Sequence, residues 1–362
     1  LLQTAKCLII KKLILLNAMI SKKKPYFAIS PELRQYLHQY GRTTDLPLRY
    51  DDLLRHQDSF PVLDAQGKDT LWETMIYPQY LIEELHKQLV TIYALLKTDG
   101  DLTVMEHLYI DRIDYCTFGN SFPFRIRVVN HYNDNYDHFY VKRADASRVY
   151  GLELEHILSP DRINFFVHQE TLIEEHITGI PGDVFIKDYA QSPTLNRVRI
   201  AKEFVKFNER CYVKLLGDMR SYNYVIIITS DFEDQQYRVR AIDFDQQAYE
   251  GRRITYLPQF FKDNNPIVAL CSKVINRKTL LQYQQEERTL MARRYRGAYE
   301  RLNDLLVVME QDTLSTPQKT EQLRQELADF YKESAFLQCE GMGAIVRKHL
   351  EYSFSGIKPL RV

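Results

Sequence analysis

Asp218, Asn223 and Asp243 are the side chains of this sequence whose types and spacing support chemistry. Asp218 precedes Asn223 by five residues in Leu216-Gly217-Asp218-Met219-Arg220-Ser221-Tyr222-Asn223, directly ahead of the apolar run Tyr224 to Thr229. The next apolar run, Tyr237 to Ile242, leads into Asp243-Phe244-Asp245. If the two runs pair as strands across the polar turn Ser230 to Gln236, the three groups come close in space, although twenty residues separate Asn223 from Asp243. Phosphoryl transfer needs such a trio. One carboxylate orients or deprotonates an acceptor hydroxyl, while a carboxylate and an amide oxygen hold hard cations on a polyphosphate. Taken alone, Asp218 and Asn223 also fit a loop whose short polar side chains cap nearby backbone. The downstream Ile242-Asp243-Phe244-Asp245 favours the catalytic interpretation.

The elements that must position these groups follow from periodicity. Residues 31–98 predict helices with loops between them, the clearest marked by Leu81, Ile82, Leu85, Leu89, Ile92 and Leu95-Leu96 and ending near Thr98-Asp99-Gly100. His107 to Cys116, Phe122 to Val129 and His138 to Arg143 alternate like three strands of a meander. A helix over Ala144 to Leu158 follows, then strands over Ile163 to His168 and Thr171 to Ile177. After Gly179-Ile180-Pro181-Gly182 the chain turns mostly helical, with a long helix near Thr194 to Cys211. Stripes at Tyr299, Leu302, Leu305-Leu306 and Met309, and at Leu323, Leu327, Phe330 and Leu337, extend the helical character to the end. The layout expected is α+β: a five-stranded antiparallel sheet carrying one helix, then a helical half with one small hairpin.

These segments resemble the protein-kinase-like superfamily, in particular its aminoglycoside phosphotransferase and choline kinase branch. The catalytic loop of that branch reads H-G-D-x-x-x-x-N and its metal motif I-D-[FW]-[ED]; this chain has Leu-Gly-Asp-x-x-x-x-Asn at 216–223 and Ile-Asp-Phe-Asp at 242–245. Leu216 departs from the usual histidine. The resemblance implies Asp218 as catalytic base and Asn223 with Asp243 as Mg²⁺ ligands. Phe139-Tyr140-Val141-Lys142-Arg143 is similar to the third-strand lysine motif, which would bring Lys142 to the ATP phosphates. Glu153 on the following helix would be its partner, with Glu155 as the alternative. Leu172 to Gly179 is similar to the hinge between lobes, where backbone groups of Glu175 and Ile177 would bond the adenine edge. Gly119, Asn120 and Ser121 stand where the family has its phosphate-covering loop, although only one glycine is present.

The expected fold is therefore two-lobed and kinase-like, with an N-lobe over 105–178 and a C-lobe over 179–310. A helical extension over 21–104 precedes it and a helical tail over 311–362 follows. The expected activity is ATP- and Mg²⁺-dependent transfer of the γ-phosphoryl group to a hydroxyl acceptor. A small molecule is favoured, since no threonine-rich activation segment and no A-P-E motif follow Asp245. A protein Ser/Thr kinase and a non-catalytic kinase-like module that binds nucleotide or protein are the alternatives.

Composition narrows the field. The 362 residues carry 48 Lys plus Arg against 48 Asp plus Glu, a net charge of zero, which argues against a broad nucleic-acid-binding surface. The basic run Arg288, Arg293, Arg294, Arg296 and Arg301 is diluted by Glu286, Glu287 and Glu300 and predicts an exposed charged helix face. Residues 131–138 carry metal-ligand types but lack the glycine and closing glutamate of a calcium loop, and so predict a solvated hairpin tip. Five scattered cysteines with no C-x-x-C pair predict reduced thiols and a cytoplasmic location. In the apolar stretch Leu8 to Ile20, Lys11 and Lys12 leave runs too short for a membrane span, and residues 1–20 read as an upstream extension.

Overall fold

The computed structural model describes residues 24–64, 66–98, 100–118, 121–230 and 235–357, without the side chain of Val104. Along the chain the elements are α1 (Pro31–Gln39), β1 (Asp58–Leu63), β2 (Asp69–Ile76), α2 (Gln79–Thr98), β3 (Leu108–Cys116), β4 (Phe124–Asn130) and β5 (Tyr136–Arg143). Then come α3 (Ala146–Leu158), β6 (Phe165–His168), β7 (Thr171–Glu175), β8 (Ile180–Pro181), α4 (Arg197–Lys214), β9 (Tyr224–Ser230) and β10 (Gln235–Ala241). The helices α5 (Asn265–Val274), α6 (Arg277–Gly297), α7 (Tyr299–Gln311), α8 (Pro317–Tyr331) and α9 (Met342–Phe354) complete it. The class is α+β, as expected. Two compact units divide the chain, one of residues 24–26, 42–144 and 164–176, the other of residues 27–41, 145–163 and 177–357.

The first unit is an antiparallel sheet in the order β1-β2-β3-β4-β5-β7-β6. Helix α2 lays Leu85, Leu89, Ile92 and Leu96 on one face of it. They pack in a core with Ile110, Ile113, Phe124, Ile126, Val128, Phe139, Val141 and Ile173. Because successive strand residues point to opposite faces, Tyr140 and Lys142 face away from that core when Phe139 and Val141 face into it. The five expected strands are all present, but the sheet has seven. The segment 58–76, which the sequence assigns to a helical extension, forms the hairpin β1–β2 and joins the sheet through Trp72↔Cys116. Its turn is built by Asp64, whose Oδ1 accepts from the backbone N–H of Gln66 and of Lys68 at 3.0 and 2.8 Å. Pro61 cannot donate to a ladder and sits on β1, an edge strand.

The second unit is mostly helical and holds the sheet β10-β9-β8. Helix α3 starts at the N-cap Asp145, whose side chain accepts from Arg148 N. Nearly every residue of α3 is buried, and α4 buries Ile200, Phe204, Phe207 and Cys211. The stripes of α7 (Leu302, Leu305, Leu306, Met309) and α8 (Leu323, Leu327) are buried as their spacing predicts, whereas Tyr299, Phe330 and Leu337, assigned to the same stripes, are exposed. Among the described residues Cys211, Cys271 and Cys339 are free thiols, and no helix is long and apolar enough to cross a membrane.

Candidate active site

Asp218, Asn223 and Asp243 all belong to the second unit, and the β9–β10 hairpin brings their segments together. The runs Tyr-Val-Ile-Ile-Ile-Thr and Tyr-Arg-Val-Arg-Ala pair antiparallel with Tyr224 opposite Ala241, so the residue entering β9 meets the residue leaving β10. Beyond the last ladder pair, Ile242 N donates to Asn223 O at 3.0 Å. On the other side α4 ends at Leu215 in the left-handed conformation (φ +54°), which turns the chain into residues 216–218. That stretch is tied to the one after β10: Leu216 bridges Gln247, Gly217 N donates to Gln246 O at 3.2 Å, and Ala248 N donates to Leu215 O at 2.9 Å. Leu216, where the family has histidine, is buried.

The loop from 218 to 223 is held from within and from below. Asn223 Nδ2 donates to Asp218 O at 2.7 Å, which leaves Oδ1 as the side-chain atom that could hold a cation. The fully buried Asn264 donates through Nδ2 to Met219 O (2.9 Å) and Pro258 O (2.8 Å), and its Oδ1 accepts from Tyr224 OH at 2.9 Å. Asp218 Oδ1 accepts from Arg220 Nε at 3.0 Å, and Arg220 Nη1 reaches Asp263 Oδ2 at 3.3 Å. Burial works against the Arg220 charge, but Asp218, with Tyr222 and Asp263, holds the guanidinium above its ordinary value. Burial also pushes the Tyr222 phenol up to about 12. Arg220 opposes that rise, and the carboxylates of Asp218, Asp263 and Asp243 add to it. All three carboxylates thus act on one phenol.

Asp243 meets a cation that the sequence does not announce. Arg148 on α3 donates through Nη1 to Asp243 Oδ1 and Asp245 Oδ1, each at 2.8 Å. Asp243 Oδ1 also accepts from Asp245 N at 3.1 Å. Among the described residues no three His, Cys, Asp or Glu side chains gather as a metal site. The donors on hand for Mg²⁺ are one carboxylate and one amide oxygen. That fits an ion that usually takes one or two protein carboxylates and completes its shell with water and substrate phosphate.

The remaining expected residues are divided between the two units. Lys142 belongs to the first unit, where its ammonium donates to Glu174 Oε2 at 2.6 Å, both side chains being buried. Glu153 belongs to the second, is fully buried, and accepts from Tyr36 OH at 2.8 Å and from Arg301 at 2.8–3.1 Å. The alternative, Glu155, is paired with Lys214, which also donates to Ser159 Oγ at 2.8 Å. Burial pushes the Glu155 carboxyl up, but the charge and hydrogen bond of Lys214, with Arg210 and Ser159, together outweigh it and hold the group below its ordinary value. Glu175, on β7, uses its backbone N–H on Asn164 O at 3.0 Å, and Ile177 is buried in the second unit. Ser121 sits in the turn before β4, whereas Gly119 and Asn120 lie outside the described residues.

Arg148, Arg220 and Tyr222 are what motif reading missed. Arg220 and Tyr222 lie inside the motif as its unspecified positions, and no local pattern marks Arg148. Arg301 and Arg288, expected on an exposed face, are pair partners of buried Glu153 and Glu209. No protein-family model matches this chain, and no curated protein matches it.

Proposed function

We propose that this chain is an ATP- and Mg²⁺-dependent phosphotransferase of protein-kinase-like fold that moves the γ-phosphoryl group to a hydroxyl acceptor, a small molecule in preference to a protein. The observation that carries the reading is the β9–β10 hairpin, which joins the Asp218–Asn223 loop to Asp243 through Ile242 N and Asn223 O. In this reading Asp218 accepts the proton of the acceptor hydroxyl as its oxygen bonds to the γ-phosphorus and ADP leaves. Asn223 and Asp243 hold the cation, which neutralises charge on the phosphates. The fixed Asn264 keeps the loop in place before substrate arrives, so catalysis rests on positioning. Lys142 belongs to the other unit, and its assignment to the phosphates comes from the resemblance alone.

One observation favours a second reading, a kinase-like module that binds nucleotide or protein without catalysis. Arg148 already supplies positive charge to Asp243 and Asp245. A screen with radiolabelled ATP against aminoglycosides, choline-like alcohols, sugars, nucleosides and mixed proteins, run beside thermal shifts with ATP with and without Mg²⁺, separates the two. The phosphotransferase gives a Mg²⁺-dependent shift and label transfer that Asp218→Asn abolishes while the shift remains. A Mg²⁺-independent shift with no transfer to any acceptor supports the module, and no shift at all rejects nucleotide binding.

A further inference from the structure

The acidic end of the β9–β10 hairpin contains its own cation. Arg148 Nη1 bonds Asp243 Oδ1 and Asp245 Oδ1 equally, at 2.8 Å, and Nη2 lies 3.5 Å from Ile242 O. The Arg148 side chain is 2 % exposed and that of Asp245 7 %, whereas Asp243 is 32 % exposed and is the carboxylate an incoming ion can reach. Helix α3 is fixed against this segment. Ser147 Oγ donates to Gln247 O at 2.7 Å, and a Cβ placed on Gly151 would stand 3.0 Å from Phe244 Cβ and 3.1 Å from Gln247 Cβ. The guanidinium therefore sits where its helix puts it, charged at every working pH.

Two carboxylates on one nitrogen, one of them buried, call for a positive group between them. Arg148 supplies it. A free dication arriving at Asp243 then meets a fixed positive charge a few ångströms away, in surroundings that screen it poorly. An ion that arrives on a polyphosphate brings its own negative charge and escapes most of that repulsion. We infer that Arg148 is the resident counter-cation of the candidate metal centre, keeping free divalent ions out and admitting one only with an anionic polyphosphate. This rests on the phosphotransferase reading and makes Arg148 a specificity-determining residue for the metal–nucleotide complex over its parts.

The test is a Mn²⁺ titration followed by electron paramagnetic resonance on the full chain, with and without a non-hydrolysable ATP analogue. Wild type and Arg148→Lys bind free Mn²⁺ weakly; Arg148→Gln binds it about tenfold more tightly or better, the size expected from removing one nearby positive charge. Unchanged or weaker Mn²⁺ binding by folded Arg148→Gln overturns the inference. If that variant does not fold, Arg148→Met, which removes the same charge and keeps an unbranched apolar stem in the buried site, gives the same answer, because Asp243 again loses its guanidinium while Asp245 stays. A wild type that binds Mn²⁺ with the analogue, beside variants that gain nothing for free Mn²⁺, overturns this inference alone. No Mn²⁺ binding by any form, with or without the analogue, overturns the phosphotransferase reading as well.

Discussion

Asn223 donates through Nδ2 to the backbone oxygen of Asp218 at 2.7 Å, and Asp218 takes that position with φ at +56°. A left-handed backbone is tolerated by Asp and by Gly but costs alanine roughly 1–2 kcal/mol. Backbone and side chain at 218 can therefore be tested apart. Asp218→Ala is expected to lose about 10²–10⁴ in turnover, the range for a general base, and to lose stability. Asp218→Gly should lose the same turnover and keep more of the stability. Urea unfolding beside the turnover assay checks this, and equal stability of the two variants would sink the strain argument.

Lys142 and Glu174 form a buried pair on the sheet face opposite the α2 core. Removing one partner strands a charge away from water, at a cost of about 3–5 kcal/mol. Glu174→Leu and Lys142→Met should each be destabilised by an amount of that order. The double variant should regain much of the loss, because neither charge then remains. Denaturation midpoints of the three variants give the coupling; strictly additive losses would show that the pair is not the unit that matters.

Strands β3, β4 and β5 and the hairpin β9–β10 are legible in the sequence because alternation and β-branched runs drive their burial. Hairpin β1–β2 is not, since Asp-Ser-Phe-Pro-Val-Leu buries little and becomes a strand only by pairing at the sheet edge. The approach of residue 243 to the 218–223 loop is legible because short-range hairpin pairing makes it. Arg148 is not, because its carboxylates lie 95 and 97 positions along the chain and only the packing of α3 brings them near. The same limit applies to Lys142, whose partner on β7 follows from the register Lys142↔Leu172. It applies again to Glu153, which meets Arg301 from 148 positions away.

Gly182 lies against the candidate loop, where a Cβ would stand 2.4 Å from Ser221 O and 2.3 Å from Tyr224 Cε2. Gly182→Ala should therefore push on residues 218–224 directly. A stability loss of about 1–3 kcal/mol is expected from the overpacking, together with weaker binding of the Mn²⁺–nucleotide complex. Gly297→Ala meets nothing within 4 Å and should leave both unchanged. Calorimetric unfolding and Mn²⁺–nucleotide titration of the pair decide it: if Gly182→Ala binds like Gly297→Ala, the loop is not set by this contact.

His349, on α9, is fully buried among Tyr212, Tyr331 and Phe336. Its Nε2 lies 3.0 Å from Tyr212 O and so carries the proton, while Nδ1 has no hydrogen-bond partner among the described residues. Burial pulls the imidazole down to about 3, with the charges of Arg288 and Arg253 adding to the effect and the Tyr212 carbonyl opposing it. The folded ring is therefore neutral where the unfolded one, near 6.5, is gaining a proton. Between those values the unfolded state binds more protons, so stability is complete above about pH 6.5 and falls as the pH drops toward 3. At pH 4.5 the loss from this one group is about 2–3 kcal/mol. His349→Gln keeps a donor for Tyr212 O and has nothing to protonate, so its unfolding free energy should change less between pH 7 and 4.5 than that of the wild type. Urea titrations at the two pH values measure the difference, and parallel curves would show that His349 is not the acid-sensitive group.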